Sequence, residues 1–406
     1  MAAGFTFDRF TDANLADPYP LYAQAREQQP VFYAEDFGTW VISRYADVRR
    51  VLMDPMRFSS AFQIRTPQRM APGVAEILAE GHPEVPALLN EDPPGHRRTR
   101  DLVARAFSPR RISGLEPRIV ALVEELVDGF EARKEADLVG ELAAPLPLRV
   151  ILDLIGLPAG EAATIRDWTR QLGVLTSYDA EPEAQREAAR GSVDYERYVA
   201  AEIAARRDNG RDDLLTDMIT AQAPGVPPLT DAELISLVVS LTFAGHETTS
   251  DLIGSALLRL LYRPELWKSI EGDPGLIANV VEETLRIDSP VQGTFRRAVF
   301  DVQVDGVTIP AGAPVFALFA SADRDGSMFG EPDEFDPGRA ELERSLAFGR
   351  GIHYCLGAPL ARLESQTVLR ILRRRLPTLH LDPDFAVPYL PNLMHRGPHR
   401  LPTTWT

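Results

Sequence analysis

Apolar positions recur at helical spacing over most of the chain. Residues 14–28, 47–53, 115–133, 145–156, 160–172, 182–207 and 212–222 carry apolar side chains near i, i+3 and i+4, the face of an amphipathic helix. Pro158, residues 179–182, Asn209-Gly210 and the proline-rich stretch 224–228 interrupt them. One pattern is longer than the rest. From 230 to 262 the chain reads as a single helix of about 32 residues, or roughly 48 Å at 1.5 Å per residue, opened by a capping-box pair, Thr230 and Glu233. Its two ends are apolar nearly all round: Leu234, Ile235, Leu237, Val238, Val239 and Leu241, then Leu252, Ile253, Leu257, Leu258, Leu260 and Leu261. Such a helix is buried. Its middle, His246-Glu247-Thr248-Thr249-Ser250-Asp251, is polar, and burying those groups costs free energy unless they are bonded or serve a purpose. Alternation is confined to short runs: Val31-Phe32-Tyr33 and Thr39-Trp40-Val41-Ile42 flank Asp36-Phe37-Gly38 as a hairpin, and 302–304, 307–309 and 315–318 read as strands. The pattern predicts a mostly α fold with a small β region.

Residues 57–90 stand outside these patterns, with prolines and glycines from Pro67 to Pro86; a loop that long is usually functional or mobile. No linker, charge block or repeat divides the rest, so one domain over 1–406 is expected. The charge of −16, from 43 basic and 59 acidic residues, argues against general affinity for nucleic acid or anionic membrane. The apolar run 234–245 is too short to span a bilayer, and residues 1–12 lack the basic and apolar regions of a secretory signal. A single cysteine in 406 residues excludes an intrachain disulfide and fits a reducing, cytoplasmic setting.

That cysteine, Cys355, sits in Phe348-Gly349-Arg350-Gly351-Ile352-His353-Tyr354-Cys355-Leu356-Gly357. Glycines on both sides permit left-handed turns and close approach of a ligand. A helix over 356–376 follows, so the sulfur is expected near a helix N-terminus, where a thiolate is favoured. A flat, metal-bearing macrocycle with carboxylates suits this loop. Other candidates are His96 and Arg100, at i,i+4 on a helix opened by Pro93-Pro94-Gly95, and Glu283 with Arg286 at i,i+3, followed by Arg339.

The loop resembles the haem-binding pattern F-G-x-G-x-H-x-C-x-G of the cytochrome P450 family, with every fixed position matched. Ala244-Gly245-His246-Glu247-Thr248 is similar to the family's A/G-G-x-D/E-T pattern, and Glu283-x-x-Arg286 with Arg339 to its structural signature. The resemblance covers roughly residues 14–400. It implies the family fold, with haem b between the long central helix and the cysteine loop, and Cys355 as thiolate ligand. It further implies that His96, Arg100, Arg296 and His353 hold propionates, with Arg297 the fallback for Arg296, and that Phe348, Gly349, Gly357, Ala244 and Gly245 line the haem. Glu247 and Thr248 become the acid–alcohol pair that delivers protons to dioxygen, while Glu283, Arg286 and Arg339 form a buried structural network. The implied activity is insertion of one oxygen atom from O2 into a small organic substrate. Electrons would come from NAD(P)H through a ferredoxin reductase and a ferredoxin, to an enzyme that is monomeric.

A basic face made of Arg97, Arg98, Arg105, Arg110, Arg350 and Arg362 suits an acidic electron carrier. Val238, Leu241, Ala244, Val291, Gly293, Thr294, Phe295, Leu390 and Leu393 are the expected pocket positions. Their apolar character points to a terpenoid, steroid, fatty acid or polyketide. Arg65 and Arg69 could pair with a substrate carboxylate or simply face water. The alternatives are a peroxide-driven peroxygenase of the same fold, a non-enzymatic haem sensor and a Cys–His hydrolase; the retained Glu247-Thr248 pair argues against the first two, and the lack of a nucleophile context against the third.

Overall fold

The computed structural model describes residues 5–61, 70–83, 85–176, 180–222 and 225–406. Arg65 and Arg69 lie outside them, as does the side chain of Arg105. The chain gathers into two compact units: Met1–Phe58, Ile112–Pro147 and Glu247–Thr406 form the first, Ser59–Arg111 and Leu148–His246 the second.

The first unit contains a mixed sheet in which Val31–Ala34, Thr39–Ile42, Pro314–Ala317 and Thr294–Ala298 lie side by side, with the short strand at Phe58 on the edge. The expected hairpin is present, Val31 opposite Ile42 and Tyr33 opposite Trp40. The pairing of Trp40 with Val315 is parallel and spans most of the sequence, so no local signal announces it. Val31, Ile42, Val48, Val51, Phe58, Val315, Phe329 and Leu346 form the core under this sheet. A second hairpin, Val302–Val304 and Val307–Ile309, turns at Asp305-Gly306, where both residues have positive φ (46° and 77°), the geometry that twists with the strands. Helices Pro274–Ile287 and Ala358–Arg375 pack together, and the latter also packs on Glu116–Asp128.

A buried polar cluster holds the N-terminal helix Tyr19–Gln28 to the end of Pro274–Ile287. Tyr19 donates to Asp288 Oδ1 at 2.8 Å, Arg259 Nε donates to Asp288 Oδ2, and the Arg324 guanidinium lies 3.3 Å from the Tyr19 ring centre. Burial alone would raise the Asp288 carboxyl, but Arg259, Arg324 and Arg396 hold it well below the usual carboxylate range. A depressed native pKa contributes stability above the unfolded value and loses it as pH falls. We therefore expect Asp288→Asn to lose about 2–3 kcal/mol at neutral pH, with the deficit shrinking on acidification below pH 4. Thermal midpoints measured across that range check both.

In the second unit, Ala162–Thr176 and Pro182–Asp208 pack face to face, with the Trp168 and Tyr195 rings stacked at 5.3 Å. Arg206 ties three segments by donating to Asp213 Oδ2 (2.9 Å), the Gly156 carbonyl (2.5 Å) and the Glu202 carbonyl (3.0 Å). Asp213 also caps Leu214–Thr220 by accepting from Thr216 N–H at 2.8 Å. The central helix, Asp231–Leu261, is 31 residues long, and its first residues to His246 count with this unit. The capping box is as expected: Thr230 N–H donates to Glu233 Oε2 at 2.8 Å and Glu233 N–H to Thr230 Oγ1 at 3.3 Å. The helix stays unbroken through Ala244–Thr248. No helix among the described residues is long and apolar enough to cross a membrane.

Candidate active site

Cys355 is exposed at the end of a loop shaped by two glycines. Gly349 (φ 68°) and Gly351 (φ 72°) are left-handed, and a Cβ on Gly351 would stand 2.6 Å from the Leu52 carbonyl oxygen. Gly349 N–H donates to the Leu346 carbonyl (2.7 Å), Gly351–His353 makes a single tight turn, and Cys355 N–H returns to the Phe348 carbonyl (2.9 Å). The helix Ala358–Arg375 begins three residues after the cysteine, so the sulfur precedes the first turn rather than lying in it. His353 and Arg350 are half-buried in the same loop.

Two supports lie under this loop. Arg362 grips Glu282 with two bonds (2.5 and 2.9 Å), reaches the Tyr354 hydroxyl at 3.4 Å and lies 4.6 Å from the Phe348 ring centre. The motif reading assigned Arg362 to a free basic face and missed Glu282, which precedes the noticed Glu283. The other support is the expected network. Glu283 and Arg286 are fully buried and joined by two bonds of 2.7 Å. Arg286 also donates to the carbonyls of Asp323, Pro332 and Glu334, and Arg339 reaches Glu283 at 3.4 Å. Asp323 in turn accepts from Leu346 N–H (2.7 Å) and Ser345 Oγ (2.8 Å), where the cysteine loop starts. Burial pushes the Asp323 carboxyl up to about 7 against the pull of those bonds.

On the strand Thr294–Ala298, Arg296 is 4% exposed and donates to Thr294 Oγ1 (3.1 Å) and the Phe295 carbonyl (2.7 Å). Thr294 and Arg296 thus share a face. Phe295, turned to the other face by strand alternation, packs on Phe316 at 4.8 Å. Gly293 serves packing, since a Cβ there would meet the Phe316 ring at 2.5 Å. Val291 is half-buried, Leu393 buried and Leu390 exposed; Val291 bridges to His395.

Glu247 and Thr248 are half-buried on the central helix. Removal from water pushes the Glu247 carboxyl up to about 7. In the second unit, His96 is buried and Arg100 half-buried on Gly95–Val103, one turn apart. Burial and the nearby Arg100 lower the His96 pKa, so its ring is neutral at pH 7. Val238 is buried, Leu241 half-buried and Ala244 exposed; a Cβ on Gly245 would sit 3.1 Å from Ile151 Cγ1, so that glycine serves helix packing. His246 is structural, bonded through Nδ1 to the Thr242 carbonyl at 3.0 Å. Arg97 and Arg98, expected in a basic face, are paired with Asp101 and Glu233.

An exposed thiol thus stands at the end of a glycine-shaped loop above a buried ion network, and Glu247 and Thr248 follow one another on the central helix. The cytochrome P450 family profile matches residues 275–379. Cytochrome P450 107B1 of Saccharopolyspora erythraea is 40% identical over 97% of this chain and 96% of its own length. The Vitamin D(3) 25-hydroxylase of Pseudonocardia autotrophica is 36% identical over 98% of this chain and 96% of its own. The solved structure of cytochrome P450 CREJ in complex with (4-ethylphenyl) dihydrogen phosphate superposes with a TM-score of 0.93 at 36% identity, covering 97% of this chain and 98% of that one. The chain belongs to the cytochrome P450 family. It is a monooxygenase whose cofactor is haem with a cysteine thiolate ligand.

Proposed function

We propose that this monooxygenase inserts oxygen into an apolar or amphipathic organic substrate, a terpenoid, steroid, fatty acid or polyketide, with electrons from NAD(P)H by way of a ferredoxin. Glu247 carries the reading: an acid pushed up to about 7, followed by a hydroxyl, on a helix otherwise apolar. The residues fit haem. Cys355 is the only thiol and is exposed, the left-handed glycines keep side chains off its loop, and Arg296 supplies a buried cation on the face shared with Thr294. When bound, haem supplies the activation of dioxygen. Cys355 holds the metal, Arg296 and His353 meet propionate, and Phe348, Gly349 and Gly357 border the ring. Glu247 and Thr248 hold and pass protons at the carboxyl and hydroxyl oxygens. Val291, Thr294 and Leu393 line the substrate space of the first unit, and their apolar weight agrees with a relative named for vitamin D(3). Residues 1–406 are taken as one catalytic domain, monomeric and cytoplasmic. Arg350, on the cysteine loop, contributes to docking of an acidic ferredoxin; Arg97, Arg98 and Arg362 are paired with Asp101, Glu233 and Glu282.

Reconstitution with ferredoxin, its reductase and NAD(P)H tests this. Glu247→Gln is expected to lower ferredoxin-driven turnover by about 10²-fold and to raise hydrogen peroxide release per NAD(P)H. Peroxide-driven turnover falls less, because that oxidant brings its own protons. Equal losses in both assays would remove Glu247 from proton delivery.

A further inference from the structure

We propose that Asp251 is a second acid behind Glu247, holding a proton and passing it along the helix to the Glu247 carboxylate. The role presupposes the part assigned above to Glu247. Residues 247 and 251 are at i,i+4, so their side chains leave adjacent turns on one face, with Cβ atoms about 5–6 Å apart. The Asp251 side chain is seated against the backbone of Gly397: a Cβ there would lie 2.1 Å from Oδ1. One turn on, a Cβ at Gly254 would lie 2.8 Å from Pro398 Cγ, so segment 396–398 closes over this stretch of helix.

The charged group that this segment brings, Arg396, is engaged elsewhere. It donates to the carbonyls of Leu15 (2.6 Å) and Ala16 (2.7 Å) and lies 3.6 Å from the Tyr389 ring centre. Asp251 has no ion pair among the described residues, and Arg396 offsets its charge only at range. The neighbouring His395 is neutral, its pKa pushed down to about 4 by burial. Burial first, then the charge of Glu247, raise the Asp251 carboxyl well above its ordinary value, beyond what Arg396 restores. Two carboxyls one helical turn apart on the same face disfavour each other's ionisation. Asp251 is the member that keeps its proton. When Glu247 has given its proton away, the Asp251 O–H bond breaks and the proton moves to a Glu247 carboxylate oxygen, directly or through one water. Asp251 then regains a proton from solvent, and no electron moves.

The test compares Asp251→Asn and Glu247→Gln in the haem-loaded protein. Infrared spectra across pH follow the carbonyl stretch of protonated carboxyls, and turnover is profiled over the same range. For Asp251→Asn we expect one protonated-carboxyl band to disappear and the alkaline limb of the turnover profile to move down toward 7. Turnover at about pH 8 then falls about tenfold, one unit's worth of protonation. Gly397→Ala, which pushes the carboxyl away without removing it, is expected to shift the limb the same way and decides the matter if Asp251→Asn misfolds. A profile and a band both unchanged in Asp251→Asn, beside a damaged Glu247→Gln, overturn the role of Asp251 alone. If Glu247→Gln is also unaffected, the assignment of Glu247 fails instead.

Discussion

Cys355→Ser is expected to keep the fold and lose the chemistry. The reduced, carbon-monoxide-treated protein should show no red-shifted Soret band, and turnover should fall by at least roughly 10³-fold, about 4 kcal/mol of barrier. A thiolate is a soft, anionic ligand that pushes electron density onto the metal; a serine hydroxyl stays protonated and cannot replace it. The side chain is exposed, and the loop is closed by the Cys355 N–H to the Phe348 carbonyl, which serine retains. A stability change within about 0.5 kcal/mol is expected, as for a surface substitution. If the variant kept a thiolate-type spectrum, Cys355 could not be the ligand, and with no second cysteine in the chain the functional reading would go with it.

The largest loss of stability is expected from separating Glu283 and Arg286. Both are fully buried, so removing one leaves the other as an uncompensated charge, a cost of about 3–5 kcal/mol. Arg286→Leu should cost the most, because it also strands the carbonyls of Asp323, Pro332 and Glu334. Arg339→Ala should cost roughly 1–2 kcal/mol, since Glu283 keeps its two-bond partner and loses one long contact. Denaturant midpoints rank the two variants. Haem retention should follow the same order, because Asp323, which receives Arg286 at its carbonyl, holds Ser345 and Leu346 at the head of the cysteine loop. Equal costs for Arg286→Leu and Arg339→Ala would show that Glu283 is not the centre of the network.

What could be read from the sequence was local. The central helix announces itself by length, by Thr230 and Glu233, and by apolar ends around a polar middle; it runs within a residue of the expected bounds. Residues 31–42 form the predicted hairpin because alternation and a Gly38 turn specify it within a few residues. The Glu283–Arg286 pair was visible for the same reason, being one helical turn apart. Features that depend on distant segments were not visible. The parallel pairing of Trp40 with Val315, the brace from Arg362 to Glu282 and the seat of Asp251 against Gly397 each join positions more than 75 residues apart. Thr294 and Phe295 are neighbours in sequence, and the strand period of two turns their side chains to different faces. The close packing of Gly245 on Ile151 and of Gly293 on Phe316 was not legible either, since each partner is distant in sequence or on another strand.

The closure of segment 396–398 over the central helix has a bearing on redesign. The chain from Leu390 to Pro398 behaves like a rope made fast at one end. Gln292 N–H binds the Met394 carbonyl at 2.7 Å, Arg396 N–H binds the Pro290 carbonyl at 2.9 Å, and the two glycine seats follow. Leu390, exposed, lies outside the knot, whereas Leu393 is buried within it. If the proposed pocket role holds, a library at the exposed Leu390 explores substrate scope at little structural expense, whereas each change at 397–398 presses on the central helix at Asp251 and Gly254. Selectivity and proton supply are thus adjustable from neighbouring links of one strand of chain, and a designer has reason to vary them separately.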